Sequence, residues 1–297
     1  MTDAHPHPHG THIYRSETGA REIRDRCQER IAAWPALTPL PEIHTALGTT
    51  RAFGAPGGDA APVIVLSGTN FNSATSVDLA RVLQRDRPVV LVDLPGQPGL
   101  SEAIRPRSGR AALYGAWFDE ILPLLTDRPA TVLAHSLGAA VLLAAKPSGL
   151  VRSVVMVGPA GLTAAAVNSD LMRVALPWMI GPRDDKSTRL LDHMSGPAYT
   201  SASHGGVHPF ASWMTLVGRH CRTSLAPGPL PLECLRPWED TPVILATGSD
   251  DVFYSPARLH GPARRLLDAD VTVLEGAGHL AMYEQPERVA ELVRSLD

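Results

Sequence analysis

Ser136 sits in the run Ala134-His135-Ser136-Leu137-Gly138, where an apolar stretch gives way to a series of small residues. A buried strand stopping at Ala134 and a helix starting at Leu137 would hold this serine in a sharp, strained turn, its hydroxyl raised above the sheet. The small side chains of Ala134 and Gly138 let that strand and helix pass closely. The same turn puts the Leu137 backbone N–H at a helix N-terminus, ready to donate to a developing oxyanion. A serine hydroxyl is a weak nucleophile until a base accepts its proton and a carboxylate fixes the tautomer of that base. Two downstream segments carry the required residue types at the ends of apolar runs: Gly248-Ser249-Asp250-Asp251 after Val243–Thr247, and Glu275-Gly276-Ala277-Gly278-His279 after Val271–Leu274. The chemistry these residues could perform is acyl transfer through a covalent intermediate on Ser136, with His279 as base and Asp250 or Asp251 orienting it.

The elements that must position them alternate along the chain. Apolar runs at Val63–Leu66, Val89–Val92, Thr131–Ala134, Ser153–Val157, Val243–Thr247 and Val271–Leu274 suit strands buried on both faces. Helical patterns separate or follow them at Val77–Gln84, Ala111–Leu125, Leu137–Ala145, Ala257–Leu267 and Pro286–Leu296. A short hairpin is expected where Glu42–Ala46 and Thr49–Phe53 flank Gly48. Strand–helix alternation predicts an α/β fold with a mainly parallel sheet, eight strands in all, covered by helices on both faces. Both the acid and the histidine segments then fall at the carboxyl edge of parallel strands, where sites of open α/β sheets collect.

Residues 161–240 break this rhythm with Pro, Gly, His and Ser clusters and scattered aromatics, and are too long for a plain loop. They predict a helical lid inserted into a core formed by residues 17–160 and 241–297. Glu17–Trp34 reads as a helix with Ile23, Cys27, Ile31 and Trp34 at helical spacing, and carries no chemistry. Residues 1–16 begin with alternating His and Pro from His5 to His12, which cannot form a helix; a disordered tail is expected, with a metal site on its imidazoles as the alternative.

The serine segment resembles the nucleophile elbow of the α/β-hydrolase family, G-x-S-x-G, with Ala134 in place of the first glycine. Gly248-Ser249-Asp250-Asp251 resembles the family's acid turn and aligns Asp251, rather than Asp250, with the catalytic acid. Gly276-Ala277-Gly278-His279, followed by Glu284-Gln285-Pro286-Glu287, resembles its histidine loop and last helix. Ser67-Gly68-Thr69-Asn70 resembles its oxyanion loop, Ser67 replacing a histidine, and implies the Thr69 N–H as the second oxyanion donor beside that of Leu137. Gly68 would permit the tight turn there, and the Asn70 side chain is a weaker alternative donor. Asp93-Leu94-Pro95-Gly96-Gln97-Pro98-Gly99-Leu100-Ser101 resembles a family turn with one residue inserted. The resemblance covers residues 41–297 apart from the lid, and implies a serine hydrolase of the carboxylesterase type that needs no metal or organic cofactor.

The substrate is less legible. Trp178, Met179, Phe210, Trp213 and Met214 are expected either to wall an apolar pocket or to form the lid's own core, and His135 either to contact substrate or to pack beneath the lid. A small acyl compound is expected, with no nucleic-acid or membrane partner: the net charge is −3 with both signs interspersed, and no apolar run reaches the roughly 18 residues of a membrane span. The three cysteines, outside any C-x-x-C spacing, suit a reducing, cytoplasmic setting. No phosphate loop or dinucleotide fingerprint is present. Other chemistry on the same scaffold (carbon–carbon hydrolysis, thioester cleavage, acyl transfer, a cofactor-free lyase) and a receptor that binds without turnover remain as alternatives. A serine at the elbow argues against the branch that attacks with aspartate.

Overall fold

The computed structural model describes residues 10–224, 227–238 and 240–297. Its main sheet has eight strands: β1 (Thr38–Pro39), β2 (Ala52–Ala55), β3 (Val63–Leu66), β4 (Val89–Val92), β5 (Ala130–His135), β6 (Val151–Val157), β7 (Val243–Gly248) and β8 (Val271–Leu274). Their order across the sheet is β1-β2-β4-β3-β5-β6-β7-β8. From β4 to β8 every neighbouring pair is parallel, while β2 runs antiparallel to both β4 and β1. The inner parallel strands are rich in apolar residues because they pack on both sides, whereas the edge strand β8 is largely exposed. In β3, Val63 and Val65 enter one hydrophobic cluster while Ile64 and Leu66 enter the other.

Among the described residues, nine helices have seven or more residues: α1 (Glu17–Ala32), α2 (Val77–Leu83), α3 (Arg110–Leu125), α4 (Leu137–Leu143), α5 (Ser169–Ile180), α6 (Asp184–Met194), α7 (Ala211–His220), α8 (Pro256–Leu267) and α9 (Pro286–Arg294). The Ser16 hydroxyl caps α1 by accepting from the Gly19 N–H at 3.1 Å, and Ile23, Cys27 and Ile31 form its buried face. No described helix is long and apolar enough to cross a membrane.

Two sequence expectations change. The hairpin at Gly48 is confined to Ile43–Thr45 and Gly48–Thr50, and the residues just beyond it enter the main sheet as β2. The expected tail is ordered from Gly10 onward, because Gly10–His12 pairs antiparallel with Ile104–Pro106 and Tyr14 bridges to Cys221. His5, His7 and His9 lie outside the described residues.

Between β6 and β7, helices α5, α6 and α7 pack against one another and α7 rests on α1. The Gly19–His220 contact is so close that a Cβ on Gly19 would lie 2.5 Å from the imidazole. This segment reaches the sheet's carboxyl edge: the His279 N–H donates to the Met194 carbonyl at 2.7 Å, and the Trp213 indole donates to the Asn70 carbonyl at 2.8 Å.

On the opposite side, the fully buried Trp117 indole of α3 donates to the Thr50 hydroxyl at 2.8 Å, and Thr50 itself is fully buried. Thr50→Val keeps the shape and strips the acceptor, so urea denaturation is expected to show a loss of about 1–3 kcal/mol. An unchanged midpoint would mean that the indole finds another partner.

Candidate active site

β5 ends at His135 and α4 begins at Leu137, so Ser136 alone makes the turn and takes φ 48°, ψ −109°. Its backbone is fixed on both sides: Ser136 N–H donates to the Val157 carbonyl at 3.1 Å, and its own carbonyl accepts from Ala139 and Ala160 N–H groups at 3.1 and 3.2 Å. Gly138 permits the crossing, since a Cβ there would fall 2.3 Å from the Leu66 carbonyl oxygen. Beside the serine, the His135 Nε2–H donates to the His279 carbonyl at 2.9 Å. Burial, reinforced by the neighbouring His279, pushes the His135 pKa down to about 3, so this imidazole is neutral over the physiological range.

The carboxyl ends of β7 and β8 bring in the other two groups. His279 Nδ1–H donates to Asp251 Oδ2 at 2.9 Å, leaving Nε2 to accept the Ser136 hydroxyl at 3.2 Å. Asp251 is further held by the Phe253 and Tyr254 N–H groups on Oδ1 at 2.8 and 2.9 Å, and by the Thr247 hydroxyl on Oδ2 at 3.1 Å. Burial alone would raise its pKa, but the charge and hydrogen bond of His279 and the two backbone donors outweigh burial and hold it below the usual carboxylate range. Asp250 instead faces solvent and accepts the Ser249 hydroxyl at 2.7 Å. Ser136, Asp251 and His279 are thus brought together, and Asp250 is not.

In the loop after β3, Asn70 rather than Gly68 adopts the left-handed backbone, at φ 68°. Gly68 is required for room instead: a Cβ on it would lie 2.6 Å from His135 Nδ1 and 3.2 Å from Ser136 Cβ. The Asn70 N–H is taken by Gln97 Oε1 at 3.1 Å. Among the described residues the N–H groups of Thr69 and Leu137 have no protein acceptor. The turn into α2 is closed by Asn72, whose side chain accepts from the Thr75 N–H at 3.0 Å. The Asn70 side-chain oxygen is buried and has no partner among the described residues.

A cavity of about 620 Å³ opens over Ser136 and His279. Thr69, Asn70, His135 and Trp178 line it, as does an apolar wall including Leu171, Met172, Met179, Met194, Met214 and Phe253. Trp213 does not line it; the indole is spent on the Asn70 carbonyl and the ring is buried, so this residue braces the loop instead of contacting substrate. Phe210 likewise packs edge-on against Phe71 and Tyr283.

Two further residues support the site: one stands in the histidine segment without a role assigned from sequence, and sequence reading passes over the other. Glu284 accepts the Gly196 and Gly278 N–H groups on one oxygen at 2.8 and 3.0 Å, tying the histidine loop to the segment between β6 and β7. Its carboxyl is raised above the usual range by burial, against the opposing pull of those N–H donors. Gly158, at the end of β6 with φ 52°, leaves space for the pair behind the serine: a Cβ there would lie 3.0 Å from Asp251 Oδ2 and 3.1 Å from His279 Nδ1. A glycine directly after a buried strand was the available signal.

The sequence matches the alpha/beta hydrolase family over residues 63–292, and the chain belongs to that family. No curated protein matches the sequence. Among solved structures, naproxen esterase (carboxylesterase NP) from Bacillus subtilis is 22% identical with a TM-score of 0.74, covering 94% of this chain and 98% of its own. Carboxylesterase CesB from Bacillus subtilis is 20% identical, covering 94% and 98%, with a TM-score of 0.74. Esterase RhEst1 from Rhodococcus sp. is 20% identical, covering 88% and 98%, with a TM-score of 0.65. At these identities the likeness is one of fold.

Gly158→Ala is expected to cost about 1–3 kcal/mol in chemical denaturation, from the strained backbone at that position. It should also move the NMR resonance of the His279 Nδ1 proton, because the new methyl crowds that hydrogen bond. A methyl tolerated with neither change would show that the backbone relaxes away from the pair.

Proposed function

We propose that this chain is a serine hydrolase that works through an acyl-enzyme on small carboxylic esters or related acyl compounds with an apolar portion. The observation that carries the reading is the hydrogen-bonded series Ser136–His279–Asp251 at 3.2 and 2.9 Å, opening into a cavity large enough for a drug-sized ligand. In this mechanism His279 Nε2 takes the Ser136 proton as Oγ attacks the carbonyl carbon, and Asp251 stabilises the resulting imidazolium. The Thr69 and Leu137 N–H groups, which have no acceptor among the described residues, receive the oxyanion. His279 then returns the proton to the leaving group, and a water activated by the same nitrogen releases the acid. His135 stays neutral and holds the His279 carbonyl, so it positions the base without competing for the proton.

We assign the three helices between β6 and β7 as the lid that supplies the apolar wall. The thioether side chains of Met172, Met179, Met194 and Met214 adapt to varied shapes, which suits a flexible acyl chain or an aryl group.

Hydrolysis of p-nitrophenyl esters of increasing acyl length tests the proposal. Ser136→Ala is expected to lower kcat by about 10⁶-fold with the fold intact by circular dichroism. Asp251→Asn should lower it by roughly 10⁴-fold, while Asp250→Asn stays close to wild type. Turnover retained in Ser136→Ala, or equal losses at both aspartates, would overturn the assignment. The chain length of fastest turnover sizes the pocket.

A further inference from the structure

An ester bound over Ser136 has two halves, and the chemistry sends them in different directions. The carbonyl oxygen turns toward the N–H donors, while the leaving oxygen must come within reach of the base that protonates it. The donors stand at Thr69 and Leu137; the base is His279 Nε2, 3.2 Å from the Ser136 hydroxyl. The leaving group therefore lies on the His279 side of the serine, and the acyl chain extends away from it. None of the described residues lining the cavity carries a carboxylate, guanidinium or ammonium group, so both halves meet an uncharged wall.

Phe253 stands on the His279 side. Its ring lines the cavity and meets the His279 imidazole edge-on, with centroids 4.8 Å apart. Its backbone is held at both ends: the N–H donates to Asp251 Oδ1 at 2.8 Å, and the carbonyl accepts the Ala166 N–H at 3.0 Å. The second bond draws the segment after β6 alongside, and Ala164, Ala165 and Val167 of that segment also line the cavity. Ala164 is exposed and Val167 is 66% exposed, so the wall beside Phe253 runs out to solvent. A different wall carries Trp178, Leu190 and Met214, all buried. These residues are tied to the oxyanion loop: the Trp178 indole donates to the Met214 carbonyl at 3.2 Å, and the adjoining Trp213 donates to the Asn70 carbonyl at 2.8 Å.

We propose that Phe253, with Ala164, Ala165 and Val167 beside it, forms the leaving-group subsite, and that the substrates are neutral esters of apolar alcohols whose far end emerges at solvent. This rests on the serine-hydrolase reading and adds to it which residues select which half of the substrate. In acylation the bond from Ser136 Oγ to the carbonyl carbon forms, and the bond from that carbon to the alcohol oxygen breaks. The departing oxygen takes its proton from His279 Nε2, which brings the alcohol's carbon chain against the Phe253 ring. Once the alcohol has left, the acyl-enzyme keeps only the acid half, and Phe253 no longer touches substrate. Selectivity for the acid half then belongs to the wall of Trp178, Leu190 and Met214.

Two ester series separate the halves, with kcat/KM followed by proton release: hexanoates of ethanol, butanol and hexanol, and ethyl esters of acetic, butanoic and hexanoic acids. Displacing the base lowers every ester alike and cancels from the ratios within a series, so the ratios isolate contact with each half. Each methylene buried against the ring is worth about 4-fold. Wild type should therefore prefer butyl over ethyl hexanoate by about 10-fold. Phe253→Ala should cut that preference at least about 5-fold and leave the ratio of ethyl hexanoate to ethyl acetate within about 2-fold. Met214→Ala should do the reverse. If Phe253→Ala does not fold, Val167→Asp, at an exposed position, carries the test and should lower the hexyl-to-ethyl ratio alone. A change in the acid ratio instead, an equal change in both, or a uniform loss with both ratios intact would overturn the assignment and leave Phe253 as packing for His279. Absence of ester turnover in wild type would overturn the hydrolase reading and the subsite with it, whereas turnover with the wrong ratios overturns the subsite alone.

Discussion

A serine held at φ 48°, ψ −109° is the constraint around which the rest of the site is arranged. A non-glycine residue in such a conformation costs about 1–3 kcal/mol and persists only where its surroundings over-determine it. Here they do. Hydrogen bonds from Ser136 to Val157 and from Ala139 and Ala160 to Ser136 lock the turn between β5, β6 and α4. Gly138 lets α4 pass the Leu66 carbonyl, and Gly68 lets the neighbouring loop abut His135 and Ser136. Remove the close approach and the turn has no reason to stay sharp.

The parallel sheet makes the remaining groups converge. β3, β5, β6, β7 and β8 all end at the same edge, so one loop from each meets at Ser136. The loop after β3 brings Thr69, the end of β6 brings the space at Gly158, the loop after β7 brings Asp251, and the loop after β8 brings His279. Asp251 receives four hydrogen bonds, two from backbone N–H groups, which keep it ionised and immobile next to the imidazole. The helices between β6 and β7 then close over this edge. They are joined to it by the backbone contact at Met194, by the Glu284 carboxylate and by apolar packing into a shared core.

Much of this architecture is legible in the sequence, because buried parallel strands leave unbroken runs such as Val63–Leu66 and Val89–Val92, and a catalytic elbow needs small residues at fixed offsets. The acid and histidine segments are legible for the same reason: each follows a strand directly. What sequence reading misses depends on contacts between distant loops. Trp213 looks like a pocket aromatic, yet its indole meets a carbonyl 143 residues away. Glu284 and Gly158 act through where they sit, with no periodicity to mark them. The ordered start at Gly10 depends on pairing with Ile104–Pro106, an edge that composition cannot reveal.

The most direct test of the central claim is the rate at which a fluorophosphonate modifies the protein, with the adduct located by peptide mass spectrometry. A single adduct on Ser136 is expected, formed rapidly in wild type and slowed by orders of magnitude in His279→Ala, since the imidazole must take the serine proton. Modification of another residue, or labelling of Ser136 at the same rate without His279, would contradict it.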